Sequence, residues 1–380
     1  MKKSLLALAL ASIATTAFSA TIYSSSYSNG SSAQLIFGGD FRAYYSELEF
    51  DKTDVATNTT TNSAFKRWQL RERVWLRGTW VDANKFSVSF AVRYNHSWNY
   101  NYNKNTKVGA HKKFGLVYNQ GYLVLSKPEF GTLIYGKFVT VADSKTGGDT
   151  NTISAFSSSY RKTNFTAFSA ATAYDTVITY ITPKVNNFTL GLSYGKTQLS
   201  TEVKREQYAL RADWSVGKNS VRFIAANTYL QNSNKVKGYK KPLRYHSGEL
   251  SYTFRDGGLS ATAALTAEKQ RIVNSEFVQY KKQYGVAGKV KYVVNQYFQP
   301  YSGVGYIRVN NKYSNTANNV KRNILNAYVG VDSNVYKYKS IFVKVYAEAA
   351  AGRANERTLN TTSKTKYKVK DFAVGTYVSF

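Results

Sequence analysis

Val278-Gln-Tyr-Lys-Lys-Gln-Tyr-Gly-Val-Ala-Gly-Lys-Val-Lys-Tyr292 alternates with a period of two. Val278, Tyr280, Tyr284, Val286, Val290 and Tyr292 take one face, while Gln279, Lys281, Gln283, Lys289 and Lys291 take the other. Successive side chains of a strand point to opposite faces, so this stretch is a strand with one apolar and one wet side. A soluble sandwich also uses such strands, with the apolar face packed on a second sheet. Length separates the two cases, because about seven alternating pairs exceed the roughly five or six residues of a soluble strand. The stretch therefore reads as part of a wall that crosses a membrane, with lipid on its apolar side and water on its polar side.

Working outward, the same alternation marks sixteen segments: 33–47, 67–80, 85–99, 114–127, 131–138, 174–182, 187–196, 205–216, 219–230, 243–254, 259–271, 277–293, 297–309, 321–333, 339–351 and 366–380. In the third, Phe86, Val88, Phe90, Val92, Tyr94 and Trp98 oppose Lys85, Ser87, Ser89, Arg93, Asn95 and Ser97. Connections at 81–84, 127–130, 183–186 and 254–258 are short, whereas 48–66, 100–113, 139–173 and 352–365 are long. Alternating short turns and long loops are the habit of outer-membrane barrels, whose turns face the periplasm. Two charges, Glu72 and Lys282, fall on the presumed lipid face. Each costs several kcal/mol there unless an interface buries it or its stem reaches the headgroups.

Composition agrees with an all-β wall. Tyr and Phe number 32 and 21, against four Pro and a single Met, the initiator. Aromatic enrichment favours strands. Past the first twenty residues no apolar run approaches the roughly 20 residues of a membrane helix, so a membrane form must be a closed barrel. Lys2 and Lys3 precede a short apolar stretch, Leu5 to Ala14, which reads as a secretory signal. Residues 1–20 are assigned to it, with cleavage after Ser19 or after Ala20, and 21–380 to the barrel. The first cleavage suits the small-x-small rule through Ala17 and Ser19. An exported chain without cysteine has neither a disulfide framework nor a thiolate metal site. Discounting Lys2 and Lys3 leaves 50 basic against 22 acidic residues, or +28. Such an excess suits anionic solutes or surfaces, and export argues against nucleic acid.

Three further stretches carry a family resemblance: Ala20-Thr-Ile-Tyr23, Ile36-Phe-Gly-Gly-Asp-Phe-Arg42 and Leu125-Ser-Lys-Pro-Glu-Phe-Gly-Thr-Leu-Ile-Tyr-Gly-Lys137. With the ending Val374-Gly-Thr-Tyr-Val-Ser-Phe380, they resemble the Gram-negative general diffusion porins over nearly the whole chain. The resemblance implies a homotrimer in the outer membrane and a water-filled channel for small hydrophilic solutes. It also implies a terminal signal at Gly375, Val378 and Phe380 for the barrel assembly machinery, and a third external loop, about 139–173, folded inward as the constriction. In that loop Asp143 and Asp149 are the candidate acids, alongside Arg161 and Lys162.

Facing them, segment 67–80 places Arg67, Arg71, Arg73 and Arg77 on one side, and its neighbours add Arg42 and Arg93. Arg73 is similar in position to an arginine of the family's basic cluster. Guanidinium groups keep their charge and donate in a planar fork that suits carboxylates and phosphates. The expected lumen wall is thus Arg42, Arg71, Arg73, Arg77 and Arg93, preferring small anionic solutes. Loop lysines, among them Lys104, Lys107, Lys112, Lys113, Lys235, Lys237, Lys240 and Lys241, are expected to meet lipopolysaccharide and outer-membrane lipids.

An enzyme is not expected. His96, His111 and His246 have no nearby serine motif of the Gly-x-Ser-x-Gly kind, and no phosphate loop or metal-spaced His cluster suggests a cofactor. The alternative from another class is an adhesin or receptor barrel whose Asn-, Thr- and Lys-rich loops bind a partner.

Overall fold

The computed structural model describes residues 20–103, 106, 108–142, 173–201, 203–231, 243–273, 278–313, 319–338, 341–359 and 363–380. Within them the strands are β1 (Ala20–Ser26), β2 (Ser32–Asp54), β3 (Thr59–Val81), β4 (Ser87–Asn103), β5 (Val108–Lys127), β6 (Gly131–Val139), β7 (Ala173–Ile181), β8 (Phe188–Gln198) and β9 (Lys204–Val216). The chain continues through β10 (Asn219–Gln231), β11 (Leu243–Asp256), β12 (Leu259–Val273), β13 (Val278–Tyr292), β14 (Gln299–Tyr313), β15 (Val320–Tyr338), β16 (Ile341–Thr358) and β17 (Lys364–Ser379). Each strand from β2 onward pairs antiparallel with the next, and β17 returns to pair with β2. Sixteen strands therefore close into a barrel, which leaves no row of unpaired backbone groups facing lipid.

The sixteen periodic segments coincide with β2 to β17, but their loop-side ends run further than the alternation does. Segments 48–66, 100–113 and 352–365, expected as long connections, are largely strand. β2 and β3 keep their ladder up to Asp54↔Thr59, β4 and β5 up to Asn103↔Val108, and β16 and β17 up to Arg357↔Lys364. Beyond the lipid both faces of a strand are wet, so Asn, Thr and Lys occur without alternation while backbone pairing continues. The β2–β3 turn is only 55–58, with Asn58 at a φ of 50°, a left-handed conformation that Asn tolerates.

Exposure assigns the faces. On β13, Tyr280, Tyr284, Val286, Val290 and Tyr292 are exposed, while Gln283 between them is buried. Apolar side chains face out and polar ones face in, as the alternation implies. Inward positions on β14 and β15 also show how tightly the wall is built. Gly303 pairs with Tyr328 and Gly330 with Tyr301, and a Cβ at either glycine would run into the opposing ring. Both tyrosines are buried, with ring centroids 6.2 Å apart. Gly330→Val should push Tyr301 out of place and cost about 1–3 kcal/mol by overpacking. A lowered temperature for conversion of the folded to the unfolded gel band checks this, and melting together with the wild type would count against it.

The seam lies on β2, which takes two partners along one edge. Ser32 to Phe37 pair with β1, while Asp40 to Asp54 pair with β17. Between them Gly39 and Phe380 exchange backbone hydrogen bonds at 2.9 and 3.0 Å. A Cβ on Gly39 would strike the Phe380 ring, and one on Gly38 the Trp75 indole. Both positions need glycine for that close approach.

Candidate functional site

Three adjacent strands build the arginine cluster. Even residues of β2, odd residues of β3 and odd residues of β4 face inward, because Arg42 pairs with Arg71, Asp40 with Arg73, and Trp75 with Arg93. Arg71 thus lies within electrostatic reach of Arg42, Arg73 and Arg93. Like charges directly opposite one another destabilise a sheet. The structure meets that cost with an acid the sequence reading passed over. Asp40 is only 2% exposed, with Oδ2 2.5 Å from Arg73 Nη2 and Oδ1 3.3 Å from Arg42 Nε.

Three of the guanidinium groups have further supports. Arg42 stacks over the Tyr377 ring at 4.7 Å, and Arg77 over the Trp75 ring at 5.3 Å. Arg93 Nε donates to Asn119 Oδ1 at 3.0 Å. These contacts fix the cations in place while their outer edges still meet the lumen; Arg42 keeps 36% of its side-chain exposure. Towards the loop end, the inward faces of β16 and β17 add two buried acids, Glu348 and Asp371, of which Asp371 feels Arg67. All three acids share the parity of inward positions on their strands, so parity alone could have found them.

The wall elsewhere is less polar than expected. Ile307, Ile324, Ala354 and Val369 form an inward apolar cluster on β14 to β17. At the foot of the connection after β6, Thr140 to Ala142 leave the wall and pack inside it. Val141 and Ala142 touch Ala209, Ile224 and Ala226, and the Val141 N–H donates to Ser193 Oγ at 3.0 Å. Thr140 Oγ1 donates to Gln207 Oε1, whose amide in turn donates to Thr228 Oγ1 at 2.9 Å. Asp143 and Asp149, the expected constriction acids, lie outside the described residues, as do Arg161 and Lys162.

Of the three residues expected to form a terminal signal, Gly375 lies against Tyr346, whose hydroxyl a Cβ there would meet. Val378 is buried between Phe41 and Val343, and Phe380 holds the seam. On the outward face Glu72 is paired after all, its Oε2 3.3 Å from His96 Nδ1. Lys282 is exposed near the loop end of β13.

No curated protein sequence matches the chain. Among solved structures, the outer-membrane expressed OmpT of Vibrio cholerae superposes with a TM-score of 0.60 at 15% identity, covering 95% of this chain and 100% of that one. An anion-selective porin from Comamonas acidovorans gives 0.58 at 13% identity, with coverages of 92% and 100%. The outer-membrane channel DcaP of Acinetobacter baumannii gives 0.56 at 11%, with coverages of 96% and 100%. At such identities these likenesses speak for the fold alone, but the model of one sequence family, described as Gram-negative porin, matches residues 6–334. A sixteen-strand closed wall and a family match over most of the chain agree, and the chain belongs to the Gram-negative porins, channels of the bacterial outer membrane.

Proposed function

We propose that this porin passes small hydrophilic solutes by passive diffusion and prefers anions. The observation that carries the reading is the cluster of Arg42, Arg71, Arg73 and Arg93 on three neighbouring inward faces, with Asp40 as the acid bonded among them. Arg77, further down β3, extends the same basic wall. Fixed charges of one sign at a narrow, low-dielectric passage raise the local concentration of the opposite ion. The anion-selective porin from Comamonas acidovorans is a precedent for that behaviour in the same fold.

Four assignments accompany this reading. The connection 139–173 acts as the constriction, carrying Asp143 and Asp149, which the inward packing of Thr140 to Ala142 supports. Residues 1–20 are assigned to a signal peptide, with cleavage after Ser19 or Ala20. Gly375, Val378 and Phe380 are read by the assembly machinery. The working form is a homotrimer, as in a trimer form recorded for OmpT of Vibrio cholerae. The Glu72–His96 pair supports that, since it lies between Leu70 and Val74 in an outward band where lipid contact costs several kcal/mol.

Planar-bilayer recording tests the channel itself. Purified full-length protein should give stepwise, ohmic conductance that closes in groups of three at high voltage. An adhesin barrel with an occluded lumen would give none, and that result would overturn the reading.

A further inference from the structure

The basic wall does not end at β2. Arg71, Arg42, Tyr377 and Lys344 stand opposite one another in a single register row across β3, β2, β17 and β16, at inward positions of their strands. Beyond Lys344 the lumen wall repeats the arrangement found around Asp40. Asp332 on β15 is buried, and its Oδ2 lies 2.7 Å from Lys291 Nζ and 3.0 Å from Lys344 Nζ. Two lobes result, each a buried aspartate held between two cations: Arg73–Asp40–Arg42 on one side of Tyr377 and Lys344–Asp332–Lys291 on the other.

One acid between two cations leaves each lobe positive, and each has a further cation beside it: Arg71 opposite Arg42, and Lys289 two residues from Lys291 on the same face of β13. Counting Glu348, the buried acid four residues along β16 from Lys344, six cations face three acids, an excess of three. The aspartates also fix geometry. A lysine head on its four-carbon stem loses rotamer freedom when it grips an anion, and a lysine already held by Asp332 has given up much of that freedom beforehand. Arg42 is held in the same way by Asp40 and lies over the Tyr377 ring at 4.7 Å, so it leans into the gap between the lobes. Across that gap the backbones of β2 and β16 are two strand spacings apart, about 10 Å. Chloride satisfies one lobe at a time. A short chain with a carboxylate at each end reaches both, its methylene groups crossing the Tyr377 ring while charge-assisted hydrogen bonds form at either end.

We propose that the two lobes form a lumen binding site for small organic dianions whose carboxylates sit at opposite ends of the molecule. The site rests on the anion-preferring reading and deepens it by naming a substrate class. It adds Lys291, Lys344 and Asp332 to the arginine wall.

The test is block of chloride current by organic anions, recorded from full-length protein in planar bilayers at a pH where every added carboxyl group is ionised. Glutarate and ethylmalonate are isomers of equal charge, but the first carries its carboxylates at opposite ends and the second carries both on one carbon. The wild type should be half-blocked by glutarate at about ten-fold lower concentration than by ethylmalonate, the gain expected from one further charge-assisted contact. Comparing isomers within one protein cancels the general attraction of the lumen for anions. Lys344→Gln should bring the two concentrations together. That change leaves buried Asp332 with a single lysine, so a second variant, Lys291→Gln with Asp332→Asn and Lys344→Gln, removes the lobe without stranding a charge and decides the matter if the first does not fold. A folded variant of either kind that keeps the wild-type difference overturns the site. A chloride-preferring wild type that does not distinguish the isomers also overturns it and leaves the channel reading standing, whereas a potassium-preferring wild type overturns that reading and the site with it.

Discussion

Replacing Arg71 and Arg73 with glutamate is expected to move the channel's preference toward cations, read as a reversal potential shifted toward the potassium side in a potassium chloride gradient. Loop charges matter little to that measurement, because salt screens them within about 8 Å at physiological strength. The inward wall matters, since low-dielectric surroundings focus its potential on the ion path. Around the cluster, six arginines (Arg42, Arg67, Arg71, Arg73, Arg77 and Arg93) oppose Asp40, Glu348 and Asp371, which leaves three positive charges. Two reversals make that balance negative by one. A change of roughly ten-fold in the chloride-to-potassium permeability ratio is in the range such fields produce. Arg73→Glu also sets a carboxylate against buried Asp40, 2.5 Å from the lost guanidinium, which destabilises the fold as well. Arg71→Glu with Arg93→Glu leaves both partners of Asp40 in place and should shift selectivity in the same direction. A wild type that prefers potassium, or double variants with an unaltered reversal potential, would sink the assignment of this wall to the narrow part of the pore.

Deleting Phe380, or replacing it with Asp, should abolish accumulation of folded barrel in the outer membrane. Phe380 exchanges two backbone hydrogen bonds with Gly39 at the seam, and its ring lies against that glycine. Unpaired backbone groups in lipid cost several kcal/mol each, so the closing strand cannot end loosely there. Cell fractionation should find the variant in the periplasm without a heat-modifiable band. Gly39→Val separates recognition of the chain end from closure. It keeps the terminal residues and crowds the ring they must seat, together with the Arg73 carbonyl on the facing strand, so delivery should persist while the heat-modifiable fraction falls. A normal outer-membrane band from the Phe380 deletion would refute the role of that residue.

Lipid and water impose opposite demands on the two faces of a strand, which is why β2 to β17 could be read from alternation alone. Where that contrast ends, so does legibility. The upper arms of β2 and β3 around Thr53 and Thr60 are wet on both sides, and nothing in their residue order distinguishes an extended ladder from a loop. β1 is short and rich in serine, and it pairs only with the foot of β2. The arginine wall was legible because its residues sit at alternate positions. Asp40 was equally in view, two residues before Arg42, but its weight depends on register: only pairing with Arg73 places it between two guanidinium groups. The Glu72–His96 pair needed the same knowledge for β3 and β4.

The 23-residue strands β2 and β3 have a consequence for transport. At about 3.3 Å per residue and a tilt near 40°, they stand roughly 60 Å tall, more than twice the roughly 25 Å lipid-facing band. On this side the wall rises like a chimney well above the membrane surface. An arriving ion therefore crosses a long column of confined water before it meets Arg42 or Arg71. Electrical resistance grows in proportion to the length of such a column, so trimming the β2–β3 hairpin towards the membrane should raise single-channel conductance while leaving ion preference to the arginines below.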